Sequence, residues 1–334
     1  SITMIERDFV AAFIVPTGVG ASIGGFAGDA SQAARSIAEV CPLIVNPNVV
    51  NAAVFSGITD SMLYTEGLAI DKLFKGEIAL RPSRKNKIGV IFDSAIPENI
   101  LNIHINTINA VKTVYGIDVI AYEITDQPAG VEFSVLESGI SSGTLTNPDT
   151  LIAAGKKLIN KGASALAVVC LFEDSDDDDY ANGEGVDPVG GVEAIISHIL
   201  TDEFYLPVAH APAFAKIDIP GEIVDKRAAA EYITPTFLPC ILLGLNNAPK
   251  LISPKEAGKT DITIDNVKAL ITPANCLGGI PVLSAIERNI PVIAVEENIT
   301  VLDITADNLG IQDRVIKVQT YNEAKDVIES LATF

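Results

Sequence analysis

The chain has 334 residues, more than one ordinary core holds and suited to two lobes, and with 48% hydrophobic residues its core is not short of material. Lys and Arg number 23 against 43 Asp and Glu, a formal charge of −20 that argues against nucleic-acid and membrane partners and leaves a small anionic metabolite to be held by local dipoles. The four cysteines stand far apart with no CxxC pair, and the first apolar run follows Glu6, Arg7 and Asp8 and is broken by Pro16, so the expectation is a reducing, cytoplasmic location without disulfide scaffold, zinc ribbon or membrane span.

Short apolar runs alternate with helical patterns, which predicts an α/β protein of two lobes built on mainly parallel, doubly wound, Rossmann-like sheet. The predicted strands are Phe9–Val15, Pro42–Val45, Lys87–Phe92, Asp118–Tyr122, Ala165–Leu171, Leu206–Ala209, Cys240–Leu245, Val267–Ile271, Pro291–Val295 and Arg314–Val318. Helices are expected from Pro97 to Gly116, from Asn147 to Gly162 and from Asp187 onward, each opened by a proline near its first turn. The stretch from Arg81 to Lys87 reads as a linker. If the two ends of the chain carry copies of one unit, residues 1–83 and 236–334 form one discontinuous lobe and 84–235 an inserted second lobe, with the ligand crevice between them; the alternative is that any two βαβ units look alike.

Two glycine-rich elbows follow apolar runs and precede helical stretches. The first holds Thr17, Gly18, Gly20, Ser22, Gly24 and Gly25, and the second Asn275, Cys276, Gly278 and Gly279. Exposed loop amides and the positive end of a helix dipole suit a phosphate or carboxylate, whereas a purely structural elbow would use its glycines to turn the chain. The first elbow's G-x-G-x-x-x-G spacing departs from the dinucleotide fingerprint by one residue, and Asn46 stands at the end of the next strand where an acid for the ribose is expected, so no standard NAD site is predicted, and Asn46 and Asn275 join the elbow residues as candidate ligand contacts. The cofactor is left unassigned. The acidic run from Glu173 to Asp179 reads as a solvated loop, with a divalent cation as the weaker alternative, and no metal ligand is assigned.

Cys276 before a helix start is a candidate thiolate, with a small buried hydrophobe as the competing reading. Cys170 and His210 are placed at carboxyl strand ends, His210 as an acid–base group near neutral pH or a turn residue. Glu296 follows the last elbow strand and points toward the same crevice. Glu66 and Asp71 read equally as a carboxylate pair or a helix start, His198 as packed beside an apolar stripe and His104 as core.

The phrases Ile14 to Ala30, Thr65 to Ala69 and Gly278 to Ile286 resemble a bacterial family known as a domain of unknown function, a likeness that covers essentially the whole chain. The middle resembles one lobe of the aspartate/glutamate racemase superfamily, which implies proton transfer by cysteines at strand ends. Cys170 matches one of these, but Leu171 replaces the Thr or Ser that follows it, and Asp93-Ser94 holds no partner cysteine. The expected function is therefore an enzyme on a small carboxylated or phosphorylated metabolite, of isomerase or racemase type. A metabolite-binding sensor and an assembly protein are the alternatives, and homo-oligomer formation stays open.

Overall fold

The computed structural model describes residues 8–24, 29–50, 58–137, 141–172, 188–217, 221–226, 229 and 236–333. In chain order the first part carries β1 (Val10–Phe13), α1 (Ser31–Ala38), β2 (Leu43–Val45), β3 (Met62–Tyr64), α2 (Gly67–Phe74) and β4 (Ala79–Arg81). The middle carries β5 (Ile88–Phe92), α3 (Glu98–Tyr115), β6 (Val119–Ile124), β7 (Val131–Val135), β8 (Ser141–Leu145), α4 (Pro148–Asn160), β9 (Ala165–Phe172), α5 (Pro188–Phe204) and β10 (Val208–Phe214). The last part carries α6 (Leu238–Asn246), β11 (Lys250–Ile252), β12 (Val267–Pro273), α7 (Ile280–Glu287), β13 (Val292–Val295), α8 (Ala306–Leu309), β14 (Val315–Val318) and α9 (Tyr321–Ala332).

The fold is α/β with two parallel sheets. One has six strands in the order β14-β13-β12-β1-β2-β3, and the other four in the order β10-β9-β5-β6. Their central strands are buried along their length, as the near-continuous apolar runs require of a sheet covered on both faces. In the larger sheet β1 lies between β2 and β12, so strands from both ends of the chain share one ladder. The strand order reverses direction at β1 and β12, and both glycine elbows leave the carboxyl ends of these two strands.

Two expectations need correction. Cys240–Leu245 is not a strand but the body of α6, with Pro239 in its first turn and Leu238, Ile241, Leu242 and Leu245 buried. A short apolar run fits a buried strand or a helix buried all round, and here the helix packs on β9, β10 and α3. Its Gly244 lies against Tyr64 of β3, whose ring would stand 2.7 Å from an added Cβ. The supposed linker is also structured: Arg81 ends β4 and pairs through two nitrogens with the buried Asp261, at 3.1 and 3.0 Å, and Asn86 is fully buried.

Candidate functional site

At the first elbow three of the loop amides are already used. Ser22 donates its N–H to the Ile299 carbonyl at 2.7 Å, Ile23 donates to Asn298 Oδ1 at 2.9 Å, and Gly24 donates to Asp29. Gly24 has a φ of +84°, and an added Cβ would meet Val15 at 3.0 Å, so this glycine serves conformation and close packing. Asn298 is buried and returns its amide to the Ile23 carbonyl at 2.8 Å and to the Tyr321 hydroxyl at 2.7 Å. The crevice at the sheet's reversal point is thus filled by the segment that follows β13. Thr17 and Gly20 are partly exposed beside it, Gly18 is buried, and Gly25 lies outside the described residues.

The two asparagines assigned to a ligand are committed to backbone as well. Asn46 accepts from the Val15 N–H at 3.1 Å and donates to the Val15 carbonyl at 2.8 Å, a closed two-bond pair with one residue. Asn275 donates to the carbonyls of Thr300 and Leu302 at 3.0 and 2.8 Å and accepts from the Thr300 N–H and hydroxyl at 3.1 and 2.9 Å. These are loop clamps, formed because a buried loop must have its backbone groups bonded. At the second elbow Gly278 and Gly279 are exposed, and Gly279 caps α7 without a side-chain bond. Glu296 is exposed, with its N–H on the Val318 carbonyl.

The thiolate assignment fails on burial. Cys276 is 7% exposed, and desolvation, against a hydrogen bond with Thr300, pushes its thiol up to about 11. Peptide-resolved alkylation is expected to show Cys276 labelling slowly, with a rate that keeps rising up to about pH 9; a plateau near neutrality would contradict this. Cys170 is 1% exposed within the cluster formed by Leu166, Val168 and Leu200, out of reach of a substrate. The acidic run from Glu173 lies outside the described residues, and among those described no group of three His, Cys, Asp or Glu stands close enough to hold a metal.

His210 is not at a strand end either. β10 continues to Phe214, and His210 lies opposite Val168 in the ladder. Burial first and the neighbouring His198 second push its imidazole down to about 3, so it is neutral near pH 7. Its place is in a polar cluster that joins the two sheets: His210 Nδ1 is 2.9 Å from Ser197 Oγ, and Ser197 Oγ is 3.3 Å from Glu66 Oε1. His198 Nε2 stands 2.9 Å from the same Glu66 oxygen.

Glu66 explains the arrangement. It directly follows β3 at the carboxyl end of the larger sheet and caps α2, its Oε2 accepting from the N–H groups of Leu68 at 2.8 Å and Ala69 at 3.4 Å. One carboxylate oxygen therefore fixes the helix start, and the other reaches Ser197 and His198 on α5. Gly67 leaves the room for this, since a Cβ there would come within 3.3 Å of His198 Nε2. Glu66 is 5% exposed, whereas the His198 side chain is 40% exposed and open to solvent. Burial draws the His198 pKa down, but the hydrogen bond and charge of Glu66 and the charge of Asp71 outweigh it, and the net shift is upward. Asp71, one turn along α2, is itself raised to about 6 by burial, opposed by the charge of His198.

Neither His198 nor its contact with Glu66 was expected as a site. The one available signal was the glutamate before Gly67; its partner lies 131 residues away in the case of Ser197. Below Glu66, a recess bounded by Tyr64, Ala69, Val208 and Leu245 has room for about one water molecule.

The chain belongs to the family described as "Protein of unknown function (DUF3326)", whose family model matches residues 10–333, in agreement with the resemblance seen over the whole sequence. It is 39% identical over 326 residues to a protein of Synechococcus sp. named an uncharacterized lipoprotein, covering 96% of this chain and 90% of that relative. That name overturns the expected cytoplasmic location, which rested on cysteine spacing and charge, neither of which reports a lipid anchor. Among the described residues no helix is long and apolar enough to cross a membrane. No solved structure matches the chain.

Proposed function

We propose that the chain is an enzyme that moves a proton on a small carboxylated or phosphorylated metabolite, with His198 as its acid–base group. The observation that carries this reading is the 2.9 Å contact between Glu66 Oε1 and His198 Nε2 on a side chain 40% exposed. When Glu66 accepts from Nε2–H, the neutral imidazole presents its Nδ1 lone pair as a base and the protonated ring presents Nδ1–H as an acid. Glu66 orients the ring, and its own position is set by the start of α2 and by Ser197, which His210 supports from behind. Ser197 is 1% exposed and serves this positioning, not attack on a substrate.

The isomerase or racemase type fits a single-proton step: the base removes a proton from carbon next to a carboxyl group, and the same or a second group returns one. Cysteines have no part in it. Two features support a ligand position between lobes 1–83 plus 236–334 and 84–235. Glu66 follows a strand of the six-stranded sheet, and His198 and His210 belong to the helix and strand at the edge of the four-stranded one.

The test is exchange in D2O. The protein is incubated with a panel of small 2-amino, 2-hydroxy and 2-oxo acids and sugar phosphates, and loss of each carbon-bound proton is followed by NMR. Exchange is expected for at least one compound, with His198→Asn slowing it by about 100-fold or more and Glu66→Gln by a smaller factor. Exchange by native protein with none of the panel, or undiminished exchange by folded His198→Asn, would remove this reading.

A further inference from the structure

The same side chain lies on a seam between the two sheets. Helix α2, which follows β3 of the larger sheet, lies along α5, which precedes β10 of the smaller one, and the links between them are polar. At one end Glu66 holds His198 at 2.9 Å and Ser197 at 3.3 Å. One turn on, Lys72 stands 3.6 Å from Asp202 and 5.4 Å from the ring centre of Tyr205. The two sheets share an apolar core elsewhere, but the buried apolar residues of α2 and those of α5 belong to separate clusters, so this helix pair is free to part locally where polar pairs hold it.

We propose that this seam is a proton-operated closure of the candidate site: protonated His198 clamps α2 to α5 through Glu66, and the clamp loosens when His198 loses its proton. The inference rests on the assignment of His198 as the site's proton-carrying group, but it concerns opening and not turnover.

The charge inventory supports one switching group. His198 faces Glu66 and Asp71 on α2 and His210 on β10, which is neutral near pH 7. Lys72 of α2 pairs across the seam with Asp202 of α5 and within its own segment with Glu77 at 3.8 Å, while Lys75 follows the end of α2 and Glu203 follows Asp202. Behind α2, α7 contributes Glu287 and Arg288, and Arg288 is tied to the Phe74 carbonyl at 2.9 Å. Against α5, β7 offers Glu132 and α4 offers Asp149, Lys156 and Lys157, whereas β8 and β9 carry no charged side chain. Between about pH 6 and pH 9 Asp71, raised to about 6, still takes up a proton at the lower end, so the comparison is made in Asp71→Asn as well as in native protein, and in that variant His198 is left as the group that changes. Its folded pKa is raised, so the charged clamp is complete below the unfolded value near 6.5 and weakens as pH rises through the folded value, where the neutral ring keeps only its Nε2–H bond to Glu66.

Hydrogen exchange by mass spectrometry, corrected for the intrinsic pH dependence of amide exchange, reads this directly. Between about pH 6 and pH 9, peptides from α2 and from Ala194 to Phe204 are expected to lose about tenfold or more in protection, while peptides from β1 and β9 stay constant. His198→Gln and Glu66→Gln are each expected to show the low protection at both pH values. Protection in α2 and α5 that stays flat with pH in native protein, or the same pH dependence in His198→Gln, would overturn the closure. Since amide exchange is read without any substrate, loss of substrate proton exchange in D2O with an intact pH response would sink the proposed function and leave the closure standing.

Discussion

Replacing Asn86 with alanine is expected to lower the stability of the folded chain by about 2–4 kcal/mol, the sum of the Ala248 carbonyl left unsatisfied in a buried place at about 1–3 kcal/mol, one of the bonds lost at the Leu245 carbonyl and a small cavity. Asn86 is fully buried, and its Nδ2 donates to the Leu245 and Ala248 carbonyls at 2.8 and 2.9 Å. Those carbonyls lie at and just beyond the last turn of α6, where Leu245 has only the Asn247 and Ala248 N–H groups of the helix end as partners, so the side chain adds a cap supplied from 159 and 162 residues away. Its Oδ1 in turn accepts from Ser83 at 3.2 Å and Ser164 at 3.3 Å, and Ser164 Oγ accepts the Lys87 N–H at 2.9 Å at the entry to β5. One side chain therefore ties α6 to β5 and to the turn before β9. Urea unfolding of Asn86→Ala and Asn86→Asp measures the effect; aspartate keeps the acceptor but loses both donors and adds a buried charge, so it should be no less damaging. A loss below about 1 kcal/mol for alanine would mean that water replaces the amide at both carbonyls.

Asn86 also shows where sequence reasoning ends. In a run of Arg, Pro, Ser, Lys and Asn it looks like solvated linker, because polarity and proline are what a linker has. Burial of an asparagine depends on carbonyls that a distant helix brings to it, and no local pattern encodes them. The parallel strands were legible for the opposite reason. Val10–Phe13, Ile88–Phe92, Ala165–Phe172 and Val292–Val295 are buried on both faces, so each carries its signal in its own side chains. The three-residue strands Met62–Tyr64, Ala79–Arg81 and Lys250–Ile252 are too short for a periodicity, and Cys240–Leu245 has one that fits two structures.

The candidate site divides in the same way. Asn46, Asn275 and Ser22 do stand at the carboxyl ends of strands or in the elbows, where ligands gather in open α/β sheets. Their bonds run to Val15, Thr300, Leu302, Asn298 and Ile299, so position was readable and direction was not. A polar residue at a strand end looks the same in sequence whether it faces a ligand or its own backbone. Glu66 was readable as a helix start, and its second role arises only because α5 brings Ser197 and His198 to the other oxygen.

Below neutral pH the opposing titrations of His210 and Asp71 are expected to leave stability nearly flat between about pH 6 and pH 4 in native protein and rising on acidification in His210→Gln. His210 has a folded value of about 3 against about 6.5 unfolded, so the unfolded chain binds a proton first and stability falls as pH drops across that window. At 1.36 kcal/mol per unit the full contribution is about 5 kcal/mol, and partial exposure of the residue reduces it to about 2–4 kcal/mol. Asp71 works in the other direction. Its folded value of about 6 lies above the unfolded 3.8, so the folded chain takes up the proton first and stability rises as pH drops from about 6 to about 4. In native protein the two effects nearly cancel between about pH 6 and pH 4, and the loss emerges below that range. His210→Gln keeps a hydrogen-bonding side chain beside Ser197 but cannot take the proton, so relative to native protein it should gain stability on acidification across that window. Asp71→Asn removes the compensating term and should make native-like loss begin near pH 6. Unfolding free energies at three pH values for the three proteins decide it, because the remaining carboxylates are common to all of them. Parallel curves for native and His210→Gln would mean that His210 is solvated enough to titrate normally, and the Ser197–His210 contact would then be no support for Glu66.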